Sequence, residues 1–363
     1  MKKIVFVIEQ LYGGGAERVT NALANEICKI PGYEVYILTF CGDSDMEYPR
    51  DGRIIHYNLG QNTWKNKGIV QRIMCRVRYL RQTIKQINPW CVISLAMPAT
   101  VSILSFSLTG LKIPVVLSER NDPTKFPSQK IFRVLRVINY HKANAVVFQT
   151  REAMLYFDSA IQKKGTVICN PITEKLPSRF EGTRDYRVVN FCRLELQKNL
   201  DLLIDSFSLV VKDFPEYTLH IYGEGSERNR LLEKIRQMGL ENCVFLPGYS
   251  RDIYEDIRSS ALFVSSSDYE GMSNSMLEAM AIGVPTICTD CPAGGAREII
   301  CNGENGILVP VGDVYAMTQA IIHVLSDVEL SDKLSYHGSE LRNKISTSAV
   351  AEQWLTFLEK SIG

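Results

Sequence analysis

One stretch limits the folds open to this chain more than any other. Residues 261–289 read ALFVSSS, then DYEGMSNSMLEAMAIG, then VPTICT. An apolar run of strand length, a glycine turn, a helical segment and a second apolar run make one βαβ unit. Such a unit belongs to an open parallel sheet, whose ligands collect at the carboxyl ends of the strands. The turn puts Glu270 at that mouth, with backbone N–H groups of the helix start aimed outward. That geometry suits a phosphate or a sugar hydroxyl.

The rest of the chain repeats the alternation. KIVFVI (3–8) is a buried strand, Gly13-Gly14-Gly15 a turn, and apolar residues 16, 19, 23 and 27 line one face of the following helix. Further strands are expected at EVYILTF (34–40), CVISLA (91–96), IPVVLSE (113–119), ANAVVFQT (143–150) and GTVICNPI (165–172). The polar run KLPSRFEGTRD, with Pro171 ahead of it, reads as a linker. The pattern then restarts with YRVVNFCRLE (186–195), YTLHIYGEG (217–225) and CVFLPGYS (243–250). At 363 residues the chain is long for one core, so two domains are expected.

Composition narrows the function classes. A 45% hydrophobic and 22% charged chain is a soluble globular protein, with no apolar stretch near the ~20 residues of a membrane span. MKKIVFVIEQ begins like a signal peptide, but Glu9 interrupts its apolar run and it reads as the first strand. Ten cysteines are dispersed, with one C-x-x-C at Cys288 and Cys291 and no second pair at zinc spacing. A reducing cytoplasm fits this usage best. Asp43-Ser44-Asp45, a metal-type D-x-D, reads as a solvated loop, and the five histidines are scattered. No metal is expected.

The net charge of +1 hides a split: residues 1–170 carry 23 Lys+Arg against 12 Asp+Glu, and residues 171–363 carry 18 against 28. The basic half should face something anionic; no nucleic-acid motif accompanies it. Trp64–Trp90 holds seven Lys/Arg and no acid, and its apolar positions 69, 73, 77, 80, 84 and 87 follow helical spacing. A basic amphipathic helix suits an anionic membrane surface, each cation near it adding about 1 kcal/mol. An ordinary surface helix with its apolar face on the sheet is the plainer alternative.

Glu270-Gly271-Met272-Ser273-Asn274, followed by Glu278 and then Gly283-Val284-Pro285, resembles the E-x7-E signature of retaining GT-B glycosyltransferases of family 4, the glycosyl transferases group 1. Arg193 and Lys198 resemble the R-x4-K pair with which that family holds the donor's diphosphate, and Gly14, Gly15 and Glu17 its GGAE turn. The resemblance implies an α/β GT-B fold of two facing Rossmann-like domains with a cleft between them. The first would take the acceptor (1–172, plus a terminal helix from about 346 to 363 crossing back) and the second the nucleotide-sugar (173–345). It also implies roles. Glu270, Arg193 and Lys198 would be catalytic, and Glu278 would bind the ribose. Gly14, Gly15, Gly223, Glu224, Pro247, Gly248, Gly271, Met272, Ser273 and Asn274 would line the donor, a UDP-sugar used without a metal. Glu17 and the loop Glu119-Arg120-Asn121-Asp122 would face the acceptor. Many members have a histidine in that loop. SERND here resembles a subset acting on N-acetylhexosamine-containing acceptors, and a polyprenyl-diphosphate-linked saccharide at the inner face of the plasma membrane is the expected partner. A nucleotide-sugar epimerase or a non-catalytic sugar-nucleotide-binding subunit are the alternative functions.

Overall fold

The computed structural model describes residues 1–41, 47–60, 68–173 and 175–363. Asp43-Ser44-Asp45 and residues 64–67 of the basic stretch lie outside the described residues. The chain forms two compact units, Met1–Pro171 with Thr347–Gly363, and Ile172–Ser346.

In chain order the first unit runs β1 (Lys2–Ile8), α1 (Gly15–Ile27), β2 (Tyr33–Thr39), β3 (Ile55–Asn58), α2 (Ile69–Ile87), β4 (Cys91–Ser94), α3 (Pro98–Ser107), β5 (Val115–Glu119), α4 (Lys130–Lys142), β6 (Ala145–Phe148), α5 (Arg151–Leu155), α6 (Ser159–Gln162) and β7 (Gly165–Val167). Its seven parallel strands lie in the order β3-β2-β1-β4-β5-β6-β7. Ile4 to Ile8 are all buried, as a central strand covered on both faces must be.

The second unit runs β8 (Asp185–Phe191), α7 (Leu200–Asp213), β9 (Thr218–Tyr222), α8 (Arg228–Gln237), β10 (Val244–Gly248), α9 (Ile253–Ile257), β11 (Ser260–Ser265), α10 (Asn274–Ala281), β12 (Thr286–Thr289), β13 (Ile307–Val309), α11 (Val314–Ser326), α12 (Val328–Ser339) and α13 (Leu341–Lys344). Its strands take the order β10-β9-β8-β11-β12-β13, again parallel. Strand order reverses between β1 and β4 in one sheet and between β8 and β11 in the other, which marks the binding crevice of each.

The last helix, α14 (Thr347–Ile362), packs on α1 and buries Trp354, Leu355 and Leu358. Glu359 near its end accepts from Lys2 at 2.8 Å and from the Tyr33 hydroxyl at 2.7 Å.

Two expectations need correction. The run after Pro177 is docked on the second unit rather than loose: Arg179 pairs with Asp332 and donates to Ser335, and Arg184 donates to the Gly283 carbonyl at 2.6 Å. Three arginines do this, since Arg342 also holds the Leu176 and Pro177 carbonyls. The apolar stripe of α2 is also not one buried face. Leu80, Ile84 and Ile87 are buried, whereas Ile69 and Met74 are 68% and 66% exposed. None of the ten cysteines is in a disulfide, and burial pushes the Cys288 and Cys291 thiols up. Among the described residues no helix is long and apolar enough to cross a membrane.

Candidate functional site

The second unit builds its site from the two loops that flank the reversal of strand order. The loop after β8 ends in Asn199, which sits at φ 41°, a left-handed value that asparagine tolerates. From there Asn199 caps α7, its Oδ1 accepting the Leu202 N–H at 3.2 Å. Its amide reaches across to Asp268 in the loop after β11, at 2.6 Å. Three more bonds stitch the same two loops: Asp268 N–H to the Gln197 carbonyl at 3.0 Å, Gln197 Nε2 to the Tyr269 carbonyl at 2.8 Å, and Ser266 Oγ to the Lys198 carbonyl at 2.9 Å. The backbone of Glu270 is fixed in turn by Pro292, whose carbonyl accepts its N–H at 2.7 Å.

This stitching brings Lys198 and Glu270 together, Nζ to Oε2 at 2.6 Å, with both side chains mostly buried. Ser267 and Gln197 also donate to Glu270 Oε2, at 3.4 and 3.3 Å. Burial alone would pull the Lys198 ammonium down. The Glu270 carboxylate, the Cys192 thiol and the hydrogen bond to Glu270 outweigh it and hold the ammonium above its ordinary value. Arg193 stands apart from this pair: its side chain is 60% exposed and its guanidinium bonds Glu195 at 2.7 Å.

Gly223 and Gly248 are joined, the Gly223 N–H donating to the Gly248 carbonyl at 2.8 Å. Only glycine fits at 223, because φ is 128° and a Cβ would stand 1.9 Å from the Cys192 carbonyl oxygen. The backbone after β9 thereby lies directly over the start of the β8 loop. Glu224 beside it is paired with Arg228 at 3.7 Å, and Pro247 is exposed. Gly271, Met272 and Ser273 are buried at the start of α10, where the Ser273 hydroxyl accepts the Met276 N–H; Asn274 opens the helix half-buried, and Glu278, one turn on, is buried.

The other predicted residues belong to the first unit. Gly14 is the N-cap of α1 with the Glu17 carboxylate lying over it, and the positive φ of this turn is at Gly13 rather than at Gly14. At the end of β5 and in the loop after it, Glu119 and Asp122 turn inward. Glu119 pairs with Arg136 at 3.1 Å and accepts the Tyr140 hydroxyl at 3.2 Å, while Asp122 bonds the N–H and hydroxyl of Thr124, both at 2.7 Å. Arg120 and Asn121 are left partly exposed.

Gln197, Asn199 and Asp268 were not singled out from the sequence. Asn199 had a usable signal, an asparagine directly before an apolar helical run. Gln197 and Asp268 had none, since they meet only because β8 and β11 are neighbours.

Residues 172–341 match the family described as glycosyl transferases group 1. The poly(glycerol-phosphate) alpha-glucosyltransferase of Bacillus subtilis is 30% identical over 226 residues, 61% of this chain and 33% of that protein, so the chain spans a third of its length. The Campylobacter jejuni protein GalNAc-alpha-(1->4)-GalNAc-alpha-(1->3)-diNAcBac-PP-undecaprenol alpha-1,4-N-acetyl-D-galactosaminyltransferase is 24% identical over 365 residues, 99% of this chain and 98% of that one. Among solved structures, Anabaena HepE in complex with UDP and glucose superposes with a TM-score of 0.82 at 18% identity, covering 99% of this chain and 100% of that chain. Residues 172–341 are thus similar to the glycosyl transferases group 1, and the chain has the α/β GT-B fold.

Proposed function

We propose that this chain is a retaining glycosyltransferase that moves a hexose or N-acetylhexosamine from a UDP-sugar to a glycan acceptor. The acceptor class is a lipid-diphosphate-linked saccharide of cell-surface polysaccharide synthesis, met at an anionic membrane surface by the stretch 64–90. The observation that carries this reading is the Lys198–Glu270 pair at the reversal of strand order.

As the glycosidic bond breaks, negative charge grows on the departing nucleoside diphosphate. A lysine held by neighbouring loops stabilises that charge once donor binding has turned its ammonium to the diphosphate, before the bond breaks. When a donor binds, the ammonium turns from Glu270 to the diphosphate. Glu270 is then free to accept a hydroxyl of the transferred sugar, and Glu278 takes the ribose. Arg193 adds a planar fork from the exposed side, which lysine cannot replace. These two cations meet the leaving group's charge, so no metal is assigned a part. The reading has no protein nucleophile. The departing phosphate oxygen takes the acceptor proton on the face where the new bond forms, which retains configuration. The names of the relatives support this reading, since one carries a lipid-diphosphate-linked acceptor and a structural neighbour was solved with UDP and glucose.

A thermal-shift panel of nucleotide-sugars tests the donor, because a ligand of the folded state raises the melting temperature with its occupancy. A UDP-hexose or UDP-N-acetylhexosamine should give the largest shift. Lys198→Ala, Arg193→Ala and Glu270→Ala should each lower turnover about a hundredfold or more while the protein stays folded. Near-normal transfer by all three variants overturns the site. Conversion of the donor to an epimer with no acceptor present would favour the epimerase reading instead.

A further inference from the structure

At the carboxyl ends of three neighbouring strands of the first unit stands a cation that makes no ion pair among the described residues. Arg120 follows β5, Gln149 follows β6 and Asn170 lies three residues beyond β7, and these strands are parallel neighbours. Arg120 donates from Nη2 to Asn170 Oδ1 and from Nη1 to Ser118 Oγ at 3.5 Å. Gln149 donates to the same Asn170 Oδ1 at 2.7 Å. Both side-chain acceptors are neutral.

Neither of the carboxylates nearest in sequence pairs with Arg120. Glu119 pairs with Arg136 through Oε2 and takes the backbone N–H of Arg120 on Oε1 at 3.1 Å. Asp122 gives its Oδ1 to Thr124, and its buried Oδ2 makes no hydrogen bond. Among the described residues Arg120 makes no ion pair. Burial pulls its guanidinium down to about 10, against the pull of Cys169, Glu119 and Tyr140 in the other direction. A partly buried guanidinium whose side-chain hydrogen-bond acceptors are neutral leaves part of its charge to an arriving anion.

We propose that Arg120, held by Asn170 and Gln149, is the seat of a phosphate-type oxyanion at the strand ends of the first unit. A guanidinium fork matches two oxygens of such a group, and ligands of parallel sheets bind at this end of the strands. The oxyanion is the acceptor's diphosphate. That naming rests on the transferase reading above, whereas the anion site itself does not.

The test titrates inorganic pyrophosphate into the full chain by calorimetry, with and without saturating UDP. Wild type, Arg120→Gln and Asn170→Asp are compared, with thermal unfolding measured on each. Asn170→Asp places a carboxylate against Arg120 and so supplies the missing counter-ion without removing the arginine. Pyrophosphate should bind the UDP-loaded wild type, weaken at least tenfold in both variants, and leave UDP affinity within twofold; that result assigns the acceptor's diphosphate. If UDP blocks pyrophosphate in the wild type, the assignment to the acceptor's diphosphate is overturned. Equal pyrophosphate affinity in wild type and Asn170→Asp overturns the proposal even if Arg120→Gln fails to fold, and so does no binding by wild type with or without UDP. A chain that fails to bind UDP yet shows the variant-sensitive pyrophosphate site defeats the transferase reading alone.

Discussion

Arg136 holds much of the loop after β5. Buried on α4, it pairs with Glu119, donates to the Phe126 carbonyl at 2.6 Å and to the Pro123 carbonyl at 2.8 Å, and lies over the Phe157 ring at 5.2 Å. Removing one partner of a buried ion pair leaves the other charge stranded, at about 3–5 kcal/mol. Arg136→Met should therefore lower the stability of the first unit by about that amount in a denaturant titration, while the UDP-induced thermal shift persists. A loss below about 1 kcal/mol would mean that the pair contributes no more than an exposed one. The polar character of SERND was legible in the sequence, but the direction of each side chain was not. It depends on an arginine on the next helix, and no spacing rule links the two. Lys198 and Glu270 were each legible through the family resemblance; their contact follows from the pairing of β8 with β11, which the local pattern does not encode.

At the scale of elements, α2 has two different halves. Its second half is fastened: Arg81 donates to the Ser107 and Thr109 carbonyls, and Arg76 bonds Glu9 at 2.8 Å over the Phe40 ring. The first half leaves Ile69, Val70, Ile73 and Met74 exposed beside Arg72 and Arg78, and no Asp or Glu occurs from Gly52 to Ser118. Helical spacing gave the helix itself. It could not show that packing covers only the turns that follow Arg76, because coverage comes from α3, which is remote from the helical pattern. The full chain should co-sediment with phosphatidylglycerol vesicles and not with phosphatidylcholine vesicles, more weakly as salt is raised. The double variant Ile73→Asp, Met74→Asp should lose this binding with an unchanged melting temperature, since both side chains are exposed. Undiminished binding by that variant would remove α2 from the membrane reading.

For the whole molecule, the repeated strand, turn and helix made two parallel sheets legible. The strand orders were not, because periodicity does not say on which side of β1 a later strand will pair. The run after Pro177 was misread for a related reason: its composition is that of a linker, but three arginines dock it. Helix α14 is remote in sequence yet integral to the first unit, with Val350, Ala351, Trp354, Leu355 and Leu358 buried. Each large apolar side chain returned to water costs about 1.5–3 kcal/mol. A chain ending at Ser346 should thus lose the first unit as a folded body and keep the second. Limited proteolysis should then leave a resistant fragment beginning near Ile172, and full resistance of both units would contradict this.

The second unit begins and ends at one doorway. Ile172 pairs with Ser346, and the Ile172 N–H donates to the Ile345 carbonyl at 3.0 Å, so the incoming and outgoing strands of chain run side by side. In topology the second unit is a guest inserted into its host's sequence, and chains with such adjacent ends tolerate exchange as one piece. On the proposed reading, in which the guest takes the sugar donor and the host the acceptor, transplanting the guest between related hosts is a natural route by which sugar choice and recipient choice come to be inherited separately.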